Sequence, residues 1–144
     1  MEPIRIDGKA FEGSDFSGRD FSNHIFQEVN MRSVNLENAN FKNTTFWNTD
    51  LTGANLSGAS LQNCNFGHRC RMDDANLTNA SLDGSTGTVS MTNCNLTKAD
   101  LHNVKMQNMA MSGSNFTQAN MFMANLIRAD LRQANFSGAC LIEA

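Results

Sequence analysis

Large apolar residues recur at every fifth position along almost the whole chain. They include all eleven Leu and nine of the ten Phe of the sequence. The members of this series are Phe11, Phe16, Phe21, Phe26, Met31, Leu36, Phe41, Phe46, Leu51, Leu56, Leu61, Phe66, Met72, Leu77, Leu82 and every fifth residue from Met91 to Leu141. A period of five fits neither the 3.6-residue period of an α-helix nor the two-residue period of a strand. The series therefore indicates an internal repeat of five residues, and this repeat determines the fold.

The positions around each large residue, here called the centre, repeat as well. A small residue, most often Ala, lies two positions before the centre, on the same side of an extended segment. The residue between them and the two residues after the centre are polar nearly everywhere and are expected to face outward. Three steps separate one centre from the next small residue, and because three is odd, the chain must turn a corner there. Gly and Asn, which tolerate left-handed backbone angles, are enriched at that corner.

Equivalent residues also recur at multiples of twenty, which predicts four sides per coil. Gly13, Gly53 and Gly113 all lie two positions after a centre of what we call the first side. Phe26 and Phe46 are successive centres of the fourth side. Nearly seven such coils, spaced like neighbouring strands, would make a rod on the order of 32 Å long.

Six segments share a pattern of Ala, then Asn or Asp, then a large apolar residue. They are Ala39-Asn40-Phe41, Ala54-Asn55-Leu56, Ala75-Asn76-Leu77, Ala99-Asp100-Leu101, Ala119-Asn120-Met121 and Ala129-Asp130-Leu131. This pattern resembles the A(D/N)LXX signature of pentapeptide-repeat proteins. The resemblance implies an all-β fold, a right-handed quadrilateral β-helix (a solenoid) of about seven coils. The repeat spans residues 9–144. Residues 1–8 lack it and are expected to form an N-terminal cap segment, with Ile4 and Ile6 across the open end.

The five-residue period is broken between residues 67 and 90. One gap between centres is one residue too long, and a later gap is one residue too short, so the frame is restored after one irregular coil. This stretch contains a cluster of charged and ionisable residues, whose members are His68, Arg69, Arg71, Asp73 and Asp74. Two interpretations stay open: a tolerated bulge with a solvated charge cluster, or a contact with a partner through Arg69 and Arg71.

Four apolar residues near the end of the sequence occupy positions that should face outward. Phe122 and Ile142 are twenty residues apart and are expected to stack on the third side, with Met123 beside them and Ile127 on the adjoining side. A contiguous exposed apolar patch is typical of an interface. The patch is interpreted either as a self-association interface or as a cap within the chain. Members of the resembled family often dimerise through their C-terminal ends, which favours a homodimer that covers the last coil.

Composition and charge change this picture little. The net charge is −3, and no apolar run is long enough to span a membrane. The N-terminus has no apolar core of signal-peptide length, so a cytoplasmic protein is expected, although a substrate of a specialised secretion system would look the same. Cys64, Cys70 and Cys94 occupy small-residue positions and are predicted to be reduced core fillers, whereas Cys140 falls in an outward position. The spacing of Cys and His is not typical of a metal site, and no cofactor is expected.

The sequence predicts a function without catalysis. No nucleophile has an evident His partner, and no glycine loop precedes a helix. One hypothesis is a rigid scaffold for protein–protein interaction that presents a flat side or the C-terminal patch. The alternative comes from the resemblance: some family members mimic B-DNA and bind DNA gyrase or topoisomerase IV, conferring quinolone resistance. The resemblance also implies a bacterial source for this chain. Charge argues against mimicry, because duplex DNA carries about one negative charge per 1.7 Å, whereas this chain has 14 acidic against 11 basic residues. Direct binding to nucleic acid is not expected.

Overall fold

In the computed structural model, which describes residues 4–144, successive coils of the chain stack in parallel. Residues about twenty positions apart pair through parallel bridges, and four such bridges follow one another in each coil. Asp15 pairs with Asn35, for example, and Asp20 pairs with Asn40. The described residues include no helix that is long and apolar enough to cross a membrane. The all-β, four-sided solenoid predicted from the periods of five and twenty is confirmed.

The fourth side carries the longest stretches of regular pairing. Its strands are β1 (Arg5–Asp7), β2 (Ile25–Gln27), β3 (Thr45–Trp47), β4 (Asn65–Arg71) and β5 (Thr86–Ser90). They form one parallel sheet in chain order. Beyond β5, Thr86 pairs with Lys105 and Lys105 with Asn125. With five strands and two further bridged positions, the fourth side consists of seven stacked segments, one for each coil.

The first strand lies within the predicted N-terminal cap segment. Ile6 pairs in register with Phe26, so it is a centre of the fourth side, five residues before Phe11. Within the predicted cap segment 1–8, Arg5–Asp7 thus form a regular strand of the sheet, whereas residues 1–3 lie outside the described residues, and the role of the segment as a cap stays a prediction. The sequence concealed this repeat because Ile4, rather than a small residue, stands two positions before the centre.

The centres fill the interior and stack coil upon coil. Phe46 stacks on Phe26 on one side and on Phe66 on the other, with ring centroids 5.4 Å apart in both pairs. From Met31 to Met121, every centre except Gly87 is buried. Burying a large apolar side chain contributes roughly 1.5–3 kcal/mol. Because each coil buries its faces only against its neighbours, stability is distributed along the stack.

Buried cysteines in the small-residue positions donate hydrogen bonds to backbone carbonyl oxygens. The Sγ of Cys64 donates to the carbonyl oxygen of Phe41 at 3.0 Å, and that of Cys94 donates to Met72 at 2.9 Å. Burial raises the pKa of both thiols to about 12, so they are protonated donors at neutral pH. Their interpretation as core fillers is confirmed, and Cys140 is partly exposed.

The corners explain the Ala-Asn-Leu motif. The residue two positions after the centre adopts a positive φ, as at Asn63, where φ is 55°. The Asn or Asp before the centre accepts a hydrogen bond from the backbone N–H two residues later. Asn55 Oδ1 accepts from the N–H of Ser57 at 3.2 Å, for instance. Where Asn or Asp precedes the centre, this Asx turn places a short polar side chain at the corner and helps to keep the centre pointing inward.

The break in the period is a bulge in β4. Phe66 pairs with Gly87 and Cys70 pairs with Val89, so three residues of β4 lie opposite a single residue of β5. The irregularity predicted for residues 67–90 is thus concentrated in this bulge. The repeats between β4 and β5 keep the regular pattern, displaced by one position as far as Gly87, and the spacing of four residues from Gly87 to Met91 restores the frame.

Candidate interaction site

The last coil leaves one layer of the core uncovered at the C-terminal end of the stack. Its centres are Leu126, Leu131, Phe136 and Leu141. Leu141 is 46% exposed and the other three are only partly buried, whereas the centres one coil earlier are fully buried. Met123 and Ile127 join three of these leucines around an open hollow of about 720 Å³. Four of the six exposed large apolar side chains among the described residues lie at this end of the solenoid.

The four residues predicted for this patch fall in three environments. Met123 and Ile127 line the hollow and are 45% and 61% exposed. Ile142 is 62% exposed and adjoins Met123, whose N–H donates to the Ile142 carbonyl at 3.1 Å. Phe122 is partly buried and packs on His102, with ring centroids 5.4 Å apart. Phe122 therefore contributes less to this end than the other three.

Sequence reasoning missed the contribution of the last centres. Leu126, Leu131 and Leu141 belong to the regular series, which predicts core positions for them. Within residues 4–144, no centre stacks on their outer face. These leucines now form most of the apolar floor of the hollow.

The backbone of the last coil is also an open edge. One coil earlier, the N–H groups of Met111 and Phe116 donate to carbonyls of the last coil at 2.9 and 2.7 Å. The equivalent N–H groups of Leu131 and Phe136 have no backbone acceptor among residues 4–144. A row of unpaired groups beside exposed apolar side chains is a template for pairing with another chain.

The N-terminal end differs in the chemistry of its small-residue positions. Lys9 and Arg19 occupy two of these positions in the first coil, and both are exposed. The corresponding residues of the last coil are Ala129 and Ala139. Charged side chains on an edge oppose further strand pairing. Of the two ends, the C-terminal end is therefore the one suited to docking.

The charged cluster of the irregular coil does not converge on one site. Asp73 is 9% exposed and accepts hydrogen bonds from the side chains of Ser90 and Thr92 and from Arg71 Nε, the last at 3.2 Å. Burial disfavours the charged carboxylate, but these hydrogen bonds outweigh that effect and lower the pKa of Asp73. Asp73 thus ties its coil to the next one, and Arg71 pairs with it within the same coil.

The other members of this cluster point to solvent. His68 and Arg69 lie in the bulge and are exposed, and Asp74 is exposed at a corner. No group of three or more His, Cys, Asp or Glu residues within 4–144 is arranged to hold a metal ion. Because the cluster is split between a structural ion pair and solvated side chains, the C-terminal end is the stronger candidate site.

Sequence and structure comparisons agree with this architecture. The family model described as pentapeptide repeats matches in eight copies, over residues 10–48, 30–67, 89–118 and 111–144. The chain belongs to the pentapeptide-repeat family. The unmatched interval, residues 68–88, contains the greater part of the irregular coil. No curated protein matches the sequence.

Solved pentapeptide-repeat structures are similar to the chain over most of its length. Full-length QnrB1, a plasmid-mediated fluoroquinolone resistance protein, is 17% identical, with 94% of this chain and 73% of QnrB1 aligned at a TM-score of 0.53. A pentapeptide repeat protein from the thylakoid lumen of Arabidopsis thaliana is 32% identical, covering 78% of this chain and 68% of that one, with a TM-score of 0.47. HetL from the cyanobacterium Nostoc sp. strain PCC 7120, involved in heterocyst differentiation regulation, is 20% identical, covering 100% and 85%, with a TM-score of 0.44.

Proposed function

We propose that this pentapeptide-repeat protein is a rigid, non-enzymatic scaffold for protein–protein interaction that self-associates through its C-terminal end. The observation that carries the proposal is the uncovered last coil, where partly exposed centres lie beside unpaired backbone groups. Burying this surface against a partner would remove apolar area from water and satisfy the open edge. The regular sides would then remain available to other proteins.

A second copy of the chain fits this end by symmetry. Arg128 and Glu143 are exposed at the two corners that flank the fourth side of the last coil. A two-fold axis along the normal to that side exchanges the two corners, so each Arg128 would face Glu143 of the other copy. Homodimers with two-fold symmetry require such self-complementary surfaces. In such a dimer, opposite charges would pair at the rim of the interface, and the apolar hollows of the two copies would face each other between them.

The proposal predicts that the double change Ile127→Glu with Ile142→Glu converts a dimer into a monomer. Both residues are more than 60% exposed, so the isolated fold is expected to tolerate the change, whereas two carboxylates within an apolar interface would lack partners. Light scattering coupled to size exclusion should show half the mass of the unaltered protein.

Trp47→Glu is the matched control, because Trp47 is 50% exposed on β3, far from the last coil. This variant should remain dimeric. The exchange of Arg128→Glu together with Glu143→Arg should also preserve the dimer. An unaltered protein that is monomeric at millimolar concentration would refute self-association. A dimer that survives both isoleucine changes would place the interface elsewhere.

Mimicry of DNA has less support from the surface charges. Arg32 pairs with Asp50 at 3.1 Å and Arg132 pairs with Asp130 at 2.7 Å, so these carboxylates do not contribute free negative charge. The similarity to QnrB1 is below 25% identity and concerns the fold alone. In a supercoiling assay with DNA gyrase, with and without a quinolone, we expect neither inhibition nor protection. Either effect would favour the mimic.

A further inference from the structure

The second side of the solenoid carries a two-row polar lattice without charge. Its outward residues on either side of the centres, over the last five coils, are Asn55, Ser57, Asn76, Thr78, Asn95, Thr97, Asn115, Thr117, Asn135 and Ser137. One row consists only of Asn and the other only of Ser and Thr. The first, third and fourth sides all carry charged residues in these positions over the same coils.

The fold explains the Asn row but not the hydroxyl row. All four sides use Asn or Asp before at least one centre for the Asx turn, as at Asn125 on the fourth side. The position after the centre is variable elsewhere in the solenoid: it holds Arg132 on the first side, His102 on the third side and Gln107 on the fourth. The fold therefore does not require Ser or Thr at this position, and their exclusive use on the second side is specific to that surface.

This lattice is continuous from coil to coil. A single column of parallel bridges runs from Asp15 to Asn135 without interruption. It passes the irregular coil, because Asn55 pairs with Asn76 across the added residue. Successive rungs are therefore spaced like neighbouring strands, by about 4.8 Å.

Hydrogen bonds within the lattice hold its side chains in place. The hydroxyl groups of Thr78 and Thr97 donate to the Asn two positions earlier, both at 2.7 Å, and the hydroxyl of Thr117 does so at 2.6 Å. Between coils, Asn115 Nδ2 donates to Thr97 Oγ1 at 3.1 Å, and Asn135 Nδ2 donates to Thr117 Oγ1 at 3.2 Å. Side chains that are already ordered lose little entropy when they bind.

The chemistry of this face excludes several classes of partner. It has no Lys or Arg between its two rows to contact nucleic acid phosphates. It has no Trp, Tyr or Arg of the kind that anchors protein interfaces. It has no exposed aromatic ring on which a sugar could stack. What it presents is a rigid, periodic array of methyl groups, amide N–H donors and hydroxyl oxygens, whose two rows carry no charge, with Lys98 exposed at the adjoining corner.

We propose that the second side binds ice. The spacing of its rungs differs by only a few tenths of an ångström from the repeat of oxygen atoms along the a axis of hexagonal ice. A rigid array with this period can hold a layer of water molecules in lattice positions, with the free amide N–H groups and hydroxyl oxygens as hydrogen-bonding partners and the Thr methyl groups between them. This function is independent of the proposed dimer.

The test is the growth of ice in solutions of the purified protein. The unaltered chain should shape ice crystals into facets, show thermal hysteresis and partition into a slowly growing ice hemisphere. Thr97→Lys, at the middle of the lattice, should lose most of each effect because it adds a charge and a long side chain to a flat face. Gln107→Lys is the matched control. Gln107 directly follows a centre of the same coil, as Thr97 does, but it lies on the fourth side. It should retain full activity.

Thermal unfolding of both variants checks that the solenoid is intact, and Thr97→Ser supplies a milder change that keeps the hydroxyl. An unaltered protein that neither shapes ice nor partitions into it would overturn the proposal. Equal activity of Thr97→Lys and Gln107→Lys would also overturn it. A change in solution mass caused by Thr97→Lys, with no change in ice growth, would assign this face to lateral self-association instead.

Discussion

Replacing Leu56 by Asp is expected to abolish cooperative folding of the solenoid. Leu56 is a centre of the second side and has no exposed surface. The substitution removes about 1.5–3 kcal/mol of apolar burial, and a carboxylate enclosed between coils adds a penalty of several kcal/mol. The sum is comparable with the whole stability of an ordinary domain, about 5–15 kcal/mol. Thermal unfolding followed by circular dichroism measures the effect.

Ser57→Asp provides the control for added charge. Ser57 is the next residue and lies in an outward position, partly exposed. An outward substitution of this kind usually changes stability by less than about 0.5 kcal/mol. If Leu56→Asp melts at the same temperature as Ser57→Asp, the assignment of the five-residue series to the core is wrong.

Gly87→Ala is expected to have the second largest effect, because no side chain fits between β4 and β5 at this position. Gly87 has a φ of 118°, and an added Cβ would overlap the carbonyl oxygen of Phe66 and lie 2.7 Å from its carbonyl carbon. Backbone strain alone is of the order of 1–3 kcal/mol, and the β4–β5 pairing must open as well. We expect a large fall in melting temperature and selective loss of protection in the irregular coil, measured by hydrogen exchange.

Gly13→Ala is the control that distinguishes the cost of the steric overlap at Gly87 from the cost of a positive φ alone. Gly13 has a similar requirement for positive φ, at 68°, but a Cβ there would meet no atom within 4 Å. Its substitution should cost only about 1–2 kcal/mol, the usual penalty of the left-handed conformation. Equal destabilisation by the two alanines would show that β4 and β5 can separate without cost.

The sequence was sufficient for most of the fold, for a physical reason. A period of five with an inward small residue can be satisfied only by one corner per repeat, and recurrence at twenty then fixes four sides. The same logic failed at Ile6, because its neighbour Ile4 breaks the pattern of small residues although β1 pairs normally. At the irregular coil, the sequence located the break, but only the structure showed that three residues of β4 oppose one of β5.

The candidate site was less accessible from the sequence. Outward positions identified Met123, Ile127 and Ile142, which are exposed at the C-terminal end. They could not show that Phe122 packs against His102, since that contact depends on the stacking of one coil on another. They also gave no sign of the unpaired backbone groups of the last coil, which are a property of position in the stack and not of residue type.

Hydrogen exchange at the last coil tests the central claim most directly. In the isolated chain the N–H groups of Leu131 and Phe136 have no backbone acceptor within the described residues 4–144, while those of Met111 and Phe116 are hydrogen-bonded. If two copies pair through their C-terminal ends, the N–H groups of Leu131 and Phe136 should exchange slowly in the native protein. They should lose that protection in the Ile127→Glu, Ile142→Glu variant, with Met111 and Phe116 unchanged. Rapid exchange at Leu131 and Phe136 in concentrated native protein would contradict the account.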